Sequence, residues 1–299
     1  MTFEWFRSHR KLLSYSLNTL YKVMRISKQA VHQHRKRKEQ FTKNVVNLLA
    51  EVDTIRDTHG GCGISKMYKT LKPTFIGRDK FISTLKEYGY RIRTPRQYHT
   101  TTIPVHSKYS NLIKGVEVNK TNQIWQSDIT YYDIGDTYCY ISLITDVYSR
   151  KIVGYNVSSS LRAESNIKAL KKSLSKRSAP DIHHSDRGSQ YTDKRYIKLL
   201  ESSGSQISMG NKAQDNAYVE RLNSTLKNEY LKYWKITNIE KLRRKVRIAV
   251  EHYNNHRLHS SLTSDMPPSK FEEYIKTLGS HQMPKMTIYD DDRGGSKAA

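Results

Sequence analysis

The chain has 299 residues, room for about two domains, and 52 Lys and Arg against 28 Asp and Glu give it a formal charge of +24. Such a charge says nothing of fold but points to a polyanionic partner, nucleic acid ahead of a ribosome or an anionic membrane. No window holds the roughly 20 apolar residues of a membrane span, the start lacks the apolar core and cleavage site of a signal peptide, and two distant cysteines, Cys62 and Cys139, exclude a disulfide scaffold or zinc finger and suit a reducing cytoplasm.

The charge is uneven: residues 1–120 hold 24 Lys and Arg against 8 Asp and Glu, residues 121–299 hold 28 against 20. Residues 1–40 read as a helix–turn–helix. Leu17, Leu20 and Val23 recur at helical spacing. Ser27 is placed to cap a second helix, KQAVHQHRKRK. That helix carries Gln29, His32, Arg35, Lys36 and Arg37, polar reach combined with phosphate anchors. Residues 41–95 are expected to form a second such unit. It has a helix amphipathic through Val46, Leu49, Val52 and Ile55, and a turn at 59–63. A short helix, ISKMYKTL, then stops before Pro73. A further helix follows Gly77, with Arg78 and Lys80 in its first turn as DNA contacts and Gly89 at its end. Residues 96–119 read as a basic linker.

From 120 to 278 strands alternate with helices. Three β-rich runs, QIWQSDITYY, TYCYISLITDVYS and KIVGYNVSS, are joined by turns at Gly135-Asp136 and at 149–151. Next come a helix at 162–176, a strand DIHHSD, a helix capped by Thr192 and closed by Gly204, and a strand SQISMG. One long helix, QDNAYVERLNSTLKNEYLKY, precedes NIEKLRRKVRIAVEHYNNH and PSKFEEYIKTL. This is the order of a ribonuclease H-like sheet, whose first and fourth strands lie side by side. The expected fold is an α/β ribonuclease H-like catalytic core, a five-stranded mixed sheet with flanking helices, preceded by all-α helix–turn–helix DNA-binding segments. Residues 279–299 are expected to be a disordered tail.

Asp128 lies within the first strand, Asp186 ends the fourth and Glu220 sits on the long helix. Singly, each has an ordinary reading as a turn, a cap or a solvated face. A carboxylate inside an apolar central strand is costly unless paired or metal-bound. Adjacent first and fourth strands bring Asp128 near Asp186, where one carboxyl tends to protonate unless a divalent cation intervenes. Hard oxygen donors favour Mg²⁺ or Mn²⁺ over zinc, and two such ions about 4 Å apart support in-line displacement at phosphorus without a covalent nucleophile or organic cofactor. Val219, Leu222, Leu226 and Tyr230 form an apolar stripe. Asn216, Glu220, Asn223 and Lys227 fall on another face, offered to a phosphate, and Arg187 and Arg221 beside the carboxylates join them as DNA contacts. No GxxxxGK[ST] or GxSxG motif occurs. Of His183 and His184, one is expected to be buried and one DNA-facing. Tyr253, Asn254, His256, Arg257 and His259 read as packing and DNA contact. Lys241, Arg243, Arg244, Lys245 and Arg247 read equally as a phosphate-binding or a solvated face. Asp146 reads as a turn residue ahead of a fourth ligand.

In ISKQAVHQHRKRK, NQIWQSDITYY, DVYSRKIVGYNVS, HHSDRGSQYT, DNAYVERLNSTLKNEYL and HYNNHRLHSSLTSDMPPSKF, in that order, the chain resembles bacterial insertion-sequence transposases with an integrase-like DDE core, the second-frame product of the large two-frame family. The resemblance implies Asp128, Asp186 and Glu220 as the catalytic, metal-binding triad, and Lys227 as a basic residue near transposon-end DNA. The spacing from Asp186 to Glu220 is slightly short of the commonest family pattern. Glu229 is the nearest rival to Glu220 as the third carboxylate, but its flank, LKNEYL, matches the family motif at a non-catalytic position. Also implied are cleavage at an element end by metal-activated water, attack of the freed 3′-hydroxyl on another phosphodiester, and helix–turn–helix units bound to terminal inverted repeats. A homodimer or higher oligomer on DNA, an upstream-frame helix–turn–helix and coiled-coil partner or fusion, and a cytoplasmic, nucleoid-associated setting follow. A non-catalytic DNA-binding regulator on the same scaffold and a ribonuclease H-like nuclease that cleaves without joining are the alternatives.

Overall fold

The computed structural model describes residues 5–6, 8–9, 11, 15–92, 109–135, 137–210 and 213–288. Helix α1 (Leu17–Val23) is followed by a turn through Arg25, at φ +51°, and by α2 (Lys28–Thr58). The Ser27 hydroxyl caps α2, accepting from the Ala30 amide at 3.0 Å. Helix α2 runs for 31 residues across the expected boundary at 40/41, because no Gly or Pro interrupts it there. Of the expected stripe Val52 is buried and Leu49 and Ile55 pack against the same core, with Val45 and Leu48 buried beside them, whereas Val46 is 59% exposed. Helix α1 buries no side chain and Val23 is exposed, so the Leu17, Leu20 and Val23 stripe does not build a core of its own. The helical core forms further on, where α3 (Ile64–Leu71) and α4 (Arg78–Glu87) close Met67, Phe81 and Leu85 against α2. Lys72, left-handed at φ +46°, ends α3 before Pro73.

The catalytic-type domain is a five-stranded sheet of β2 (Ile124–Asp133), β3 (Tyr138–Asp146), β4 (Ile152–Ser158), β5 (Ile182–Ser185) and β6 (Gln206–Met209). Its order is β4-β3-β2-β5-β6, antiparallel from β4 to β2 and parallel from β2 to β6, the ribonuclease H-like arrangement. Helices α5 (Glu164–Leu174) and α6 (Lys194–Ser202) bury Trp125, Leu170, Tyr196 and Leu200 on one face. Helices α7 (Ala217–Thr225) and α8 (Ile239–Asn255) bury Leu143, Val219, Leu222 and Val246 on the other. Asp193, not Thr192, caps α6, its carboxylate accepting from the Arg195 amide at 2.8 Å.

Two expectations change. The long helix is segmented: a 3-10 turn at Ala213–Asn216, α7, a π turn at Leu226–Tyr230 and a 3-10 turn at Leu231–Tyr233. The extra residue in the π turn keeps Leu226, Tyr230 and Leu231 all in the core while Glu229 faces the helical domain. The expected linker and tail also contribute structure. Strand β1 (Glu117–Val118) pairs antiparallel with β7 (Met286–Thr287), and Ile113, Val118 and Ile288 pack with Phe271 and Ile275 of α9 (Pro268–Ile275). The tail expectation for 289–299 and the linker expectation for 96–108 lie outside the described residues. Among the described residues no helix is long and apolar enough to cross a membrane. Cys62 and Cys139 are buried free thiols.

Candidate active site

Parallel pairing sets Ser127 of β2 opposite Ser185 of β5, so Asp128 and Asp186 are the next pair along the two strands. Three successive β2 residues then fix α7. Gln126 Oε1 accepts from the Tyr218 and Val219 amides at 3.1 and 3.3 Å, capping the helix start. Asn216 Nδ2 donates to the Ser127 carbonyl at 3.0 Å, and Asn223 Nδ2 donates to Asp128 Oδ2 at 2.6 Å. These bonds hold Glu220, in the first turn of α7, over the aspartate pair.

The electrostatics show the three carboxylates acting on one another. Burial, then the charge of Asp186 and that of Glu220, push Asp128 up to about 7, against the Ile129 amide and Asn223. Burial raises Asp186, whose Oδ1 accepts from the Gly188 amide at 3.0 Å. Burial and Asp186 raise Glu220, which remains exposed. A Cβ at Gly188 would stand 3.0 Å from both Asp186 Oδ1 and Gln190 Oε1, a tight fit that would press on the Asp186 carboxylate. Among the described residues no group of three or more His, Cys, Asp and Glu stands close enough to hold an ion; the aspartates form the pair and Glu220 lies outermost. The donor set, carboxylates raised first by burial and, at Asp128 and Glu220, also by a neighbouring carboxylate, fits a hard divalent cation.

Lys227 lies 4.2 Å above the Tyr131 ring, its ammonium lowered by burial and raised by Asp128. Arg221 is exposed beside Glu220, and Arg187 is half-buried beside Asp186. Gln29, His32, Lys36, Arg37, Arg78 and Lys80 are exposed, and Arg35 pairs with Glu39 at 3.2 Å.

Three expected DNA contacts face inward instead. Asn216 and Asn223 are 4% and 7% exposed and bond to β2. Arg257 is 8% exposed, its Nε and Nη2 donating to Glu229 at 2.8 and 2.7 Å. Both His183 and His184 are buried, so neither faces DNA. His183 Nε2 lies 2.9 Å from Ser127 Oγ and from Tyr196 Oη, and His184 Nδ1 lies 2.8 Å from Ser208 Oγ. Asp146 is a turn residue: it accepts from the Ser149 and Asn122 amides at 2.9 and 2.6 Å and is wholly buried.

Two features escape sequence reasoning. Tyr191, 2% exposed, has its hydroxyl raised by burial and by the charges of Asp128 and Asp186. Glu229, the alternative third carboxylate, is instead the hub between the helical domain and the sheet domain. Besides Arg257 it meets His59 Nε2 at 2.7 Å and Lys66 Nζ at 3.4 Å, and the Gly61 amide donates to its carbonyl at 2.8 Å. Burial opposes its ionisation, but Arg257, His59 and Lys66 hold its carboxyl far below the usual range.

Two family models, each described as an integrase core domain, match residues 118–214 and 204–268. The insertion element IS600 uncharacterized 31 kDa protein of Shigella sonnei is 34% identical over 219 residues, 70% of this chain and 77% of its own. A putative transposase for insertion sequence element IS986/IS6110 from Mycobacterium tuberculosis is 32% identical over 161 residues, 50% of this chain and 58% of its own. The HTLV-2 integrase catalytic core domain, solved in complex with magnesium, is similar at TM-score 0.43 and 19% identity, over 51% of this chain and 97% of its own.

Proposed function

Because the chain belongs to the insertion-sequence transposases with an integrase-like core, we propose that it cuts phosphodiester bonds at the ends of such an element and joins the freed 3′-hydroxyl to another phosphodiester. The carrying observation is Asp128 on β2 beside Asp186, the residue that follows the adjacent parallel β5, with Glu220 on α7 close enough for its charge to be felt at Asp128. Asp128, Asp186 and Glu220 are the residues that would hold Mg²⁺ or Mn²⁺, as two ions, which would supply Lewis-acid activation at the reacting phosphodiester.

The chain's own groups prepare the site. Asn223 fixes the Asp128 carboxylate through Oδ2, leaving Oδ1 free of that bond. Lys227, whose ammonium feels the Asp128 charge, is placed as a donor to phosphate oxygens, and the exposed Arg221, next to Glu220 along α7, is assigned as a second. The exposed Gln29, His32, Lys36 and Arg37 of α2 with the half-buried Arg35, and the exposed Arg78 and Lys80 of α4, are the contacts we assign to terminal-repeat DNA.

Cleavage of duplex carrying an element's end, with Mg²⁺, tests the triad. Asp186→Asn is expected to bind the duplex like wild type and leave it uncut; a wild-type rate would sink the assignment. Two ends must be held at once, so at least two copies are expected on paired ends. Light scattering that finds one copy there overturns this.

A further inference from the structure

Five cations converge on the outer edge of the sheet, away from the carboxylates. Lys168 and Lys172 come from α5, and Arg243, Arg244 and Arg247 from α8. With Tyr155, Asn156, Val157 and Ser158 of β4 they line a cleft of about 570 Å³. The topology builds it: β4 is an edge strand, α5 packs on one face of the sheet and α8 on the other, so the two helices bracket the edge. The pairs 168/172 and 243/247 are each four apart, so each helix turns two like charges to one side, an arrangement that by itself disfavours the helix.

All five are exposed. Arg243 also supports the fold locally, because its Nε donates to the Val157 carbonyl at 3.4 Å and Nη1 lies 3.8 Å from Glu240. Lys172 stands 5.9 Å over the Tyr155 ring. Among the described residues no carboxylate forms an ion pair with Lys168, Lys172, Arg244 or Arg247; Glu251 is felt at Tyr155, together with Arg247. Cations on an edge strand also guard against edge-to-edge pairing. Arg243 covers the β4 edge for that purpose, and the other four exceed it. A second copy docking here about a two-fold axis would set the same five cations against themselves.

We propose that this cleft grips the phosphate backbone of duplex DNA, independently of sequence, beyond the phosphodiester that reacts. The proposal rests on the DNA-cutting function proposed for the carboxylates and adds a surface to it. Asp128, Leu143 and Tyr155 are successive cross-strand partners on β2, β3 and β4. The cleft therefore begins about 10 Å from the carboxylates, two strand spacings away. Leu143 and the Val219 and Leu222 side chains of α7 pack in the same apolar cluster between them.

The test uses the full chain and a fluorescent duplex of random sequence, with anisotropy read between about 50 and 200 mM salt. In the variant Lys168→Gln, Lys172→Gln, Arg244→Gln and Arg247→Gln, glutamine keeps the helix propensity while removing charge. The slope of log affinity against log salt is expected to shrink by about 3.6, and the thermal midpoint to hold. A slope equal to that of wild type overturns the proposal. So does a wild type that self-associates while the variant does not, which makes the face an interface between copies. If the quadruple variant melts early, Lys172→Gln with Arg247→Gln, one change per helix, is expected to reduce the slope by about 2. Asp186→Asn should keep the full slope, so failure of the active-site assignment and failure of this one give different results.

Discussion

At the residue scale Asn223 supports the Asp128 carboxylate. The Asp128 carboxyl is raised by burial and by two negative neighbours, and Asn223 donates the side-chain bond that opposes this. Asn223→Ala should lower the cleavage rate about 10- to 100-fold, the usual cost of losing a ligand's supporting partner. Duplex affinity should stay unchanged, as should the melting temperature within a few degrees; a wild-type rate by single-turnover cleavage refutes that role. Asp128 is legible in the sequence as a carboxylate in an apolar strand. Asn223 reads there as part of a phosphate-facing surface because it follows Glu220 by three residues. Which side of a helix meets a sheet is set by packing, and packing turns Asn216 and Asn223 toward β2 while leaving Glu220 exposed.

At the element scale the π turn at Leu226–Tyr230 decides what Glu229 does. It aims the carboxylate at Arg257 and His59, and brings the backbone so close to the turn after α2 that a Cβ on Gly61 would lie 2.4 Å from the Glu229 Cα. Glu229→Ala leaves Arg257 buried without its partner and should destabilise the chain by about 3 kcal/mol in urea unfolding. Gly61→Ala should loosen the same junction, read as faster amide exchange across α3 with the sheet unaffected. An effect below about 0.5 kcal/mol for Glu229→Ala would show that Glu229 does not hold the two domains together. The length of α2 escapes the sequence for a physical reason: a basic stretch followed by an amphipathic one looks like two helices, yet nothing between them breaks the backbone.

At the scale of the whole molecule, burial keeps imidazoles neutral where the helical and sheet domains meet. His252 is pushed down to about 4 by burial and by His59, His256 and Arg257, against Glu229, and its Nδ1 lies 3.0 Å from the Tyr230 hydroxyl. His59 is lowered mainly by burial and His259 falls to about 3 for the same reason. The unfolded chain takes up these protons near pH 6.5 and the folded one resists them. Stability is therefore complete above about 6.5 and falls as pH drops below it. For His252 the loss at about pH 5.5 is about 1.4 kcal/mol, or roughly 3 °C for a chain this long. His252→Gln should narrow the difference in melting temperature between about pH 7.5 and 5.5 by that amount; an unchanged difference shows that His252 does not carry it.

The sequence by itself determined the strand and helix order of residues 120–278, and with it the neighbouring first and fourth strands and the Asp128–Asp186 pair, because alternation, helical spacing and turn residues are local signals. It also determined the +24 charge and the polyanionic partner that charge calls for. Tertiary structure decided what depends on contacts between distant segments. Those are the pairing of β1 with β7, the inward turn of Asn223 and Arg257, the role of Glu229, and the meeting of α5 and α8 across β4. In each case a residue's surroundings come from chain far away in sequence, and no local periodicity records them.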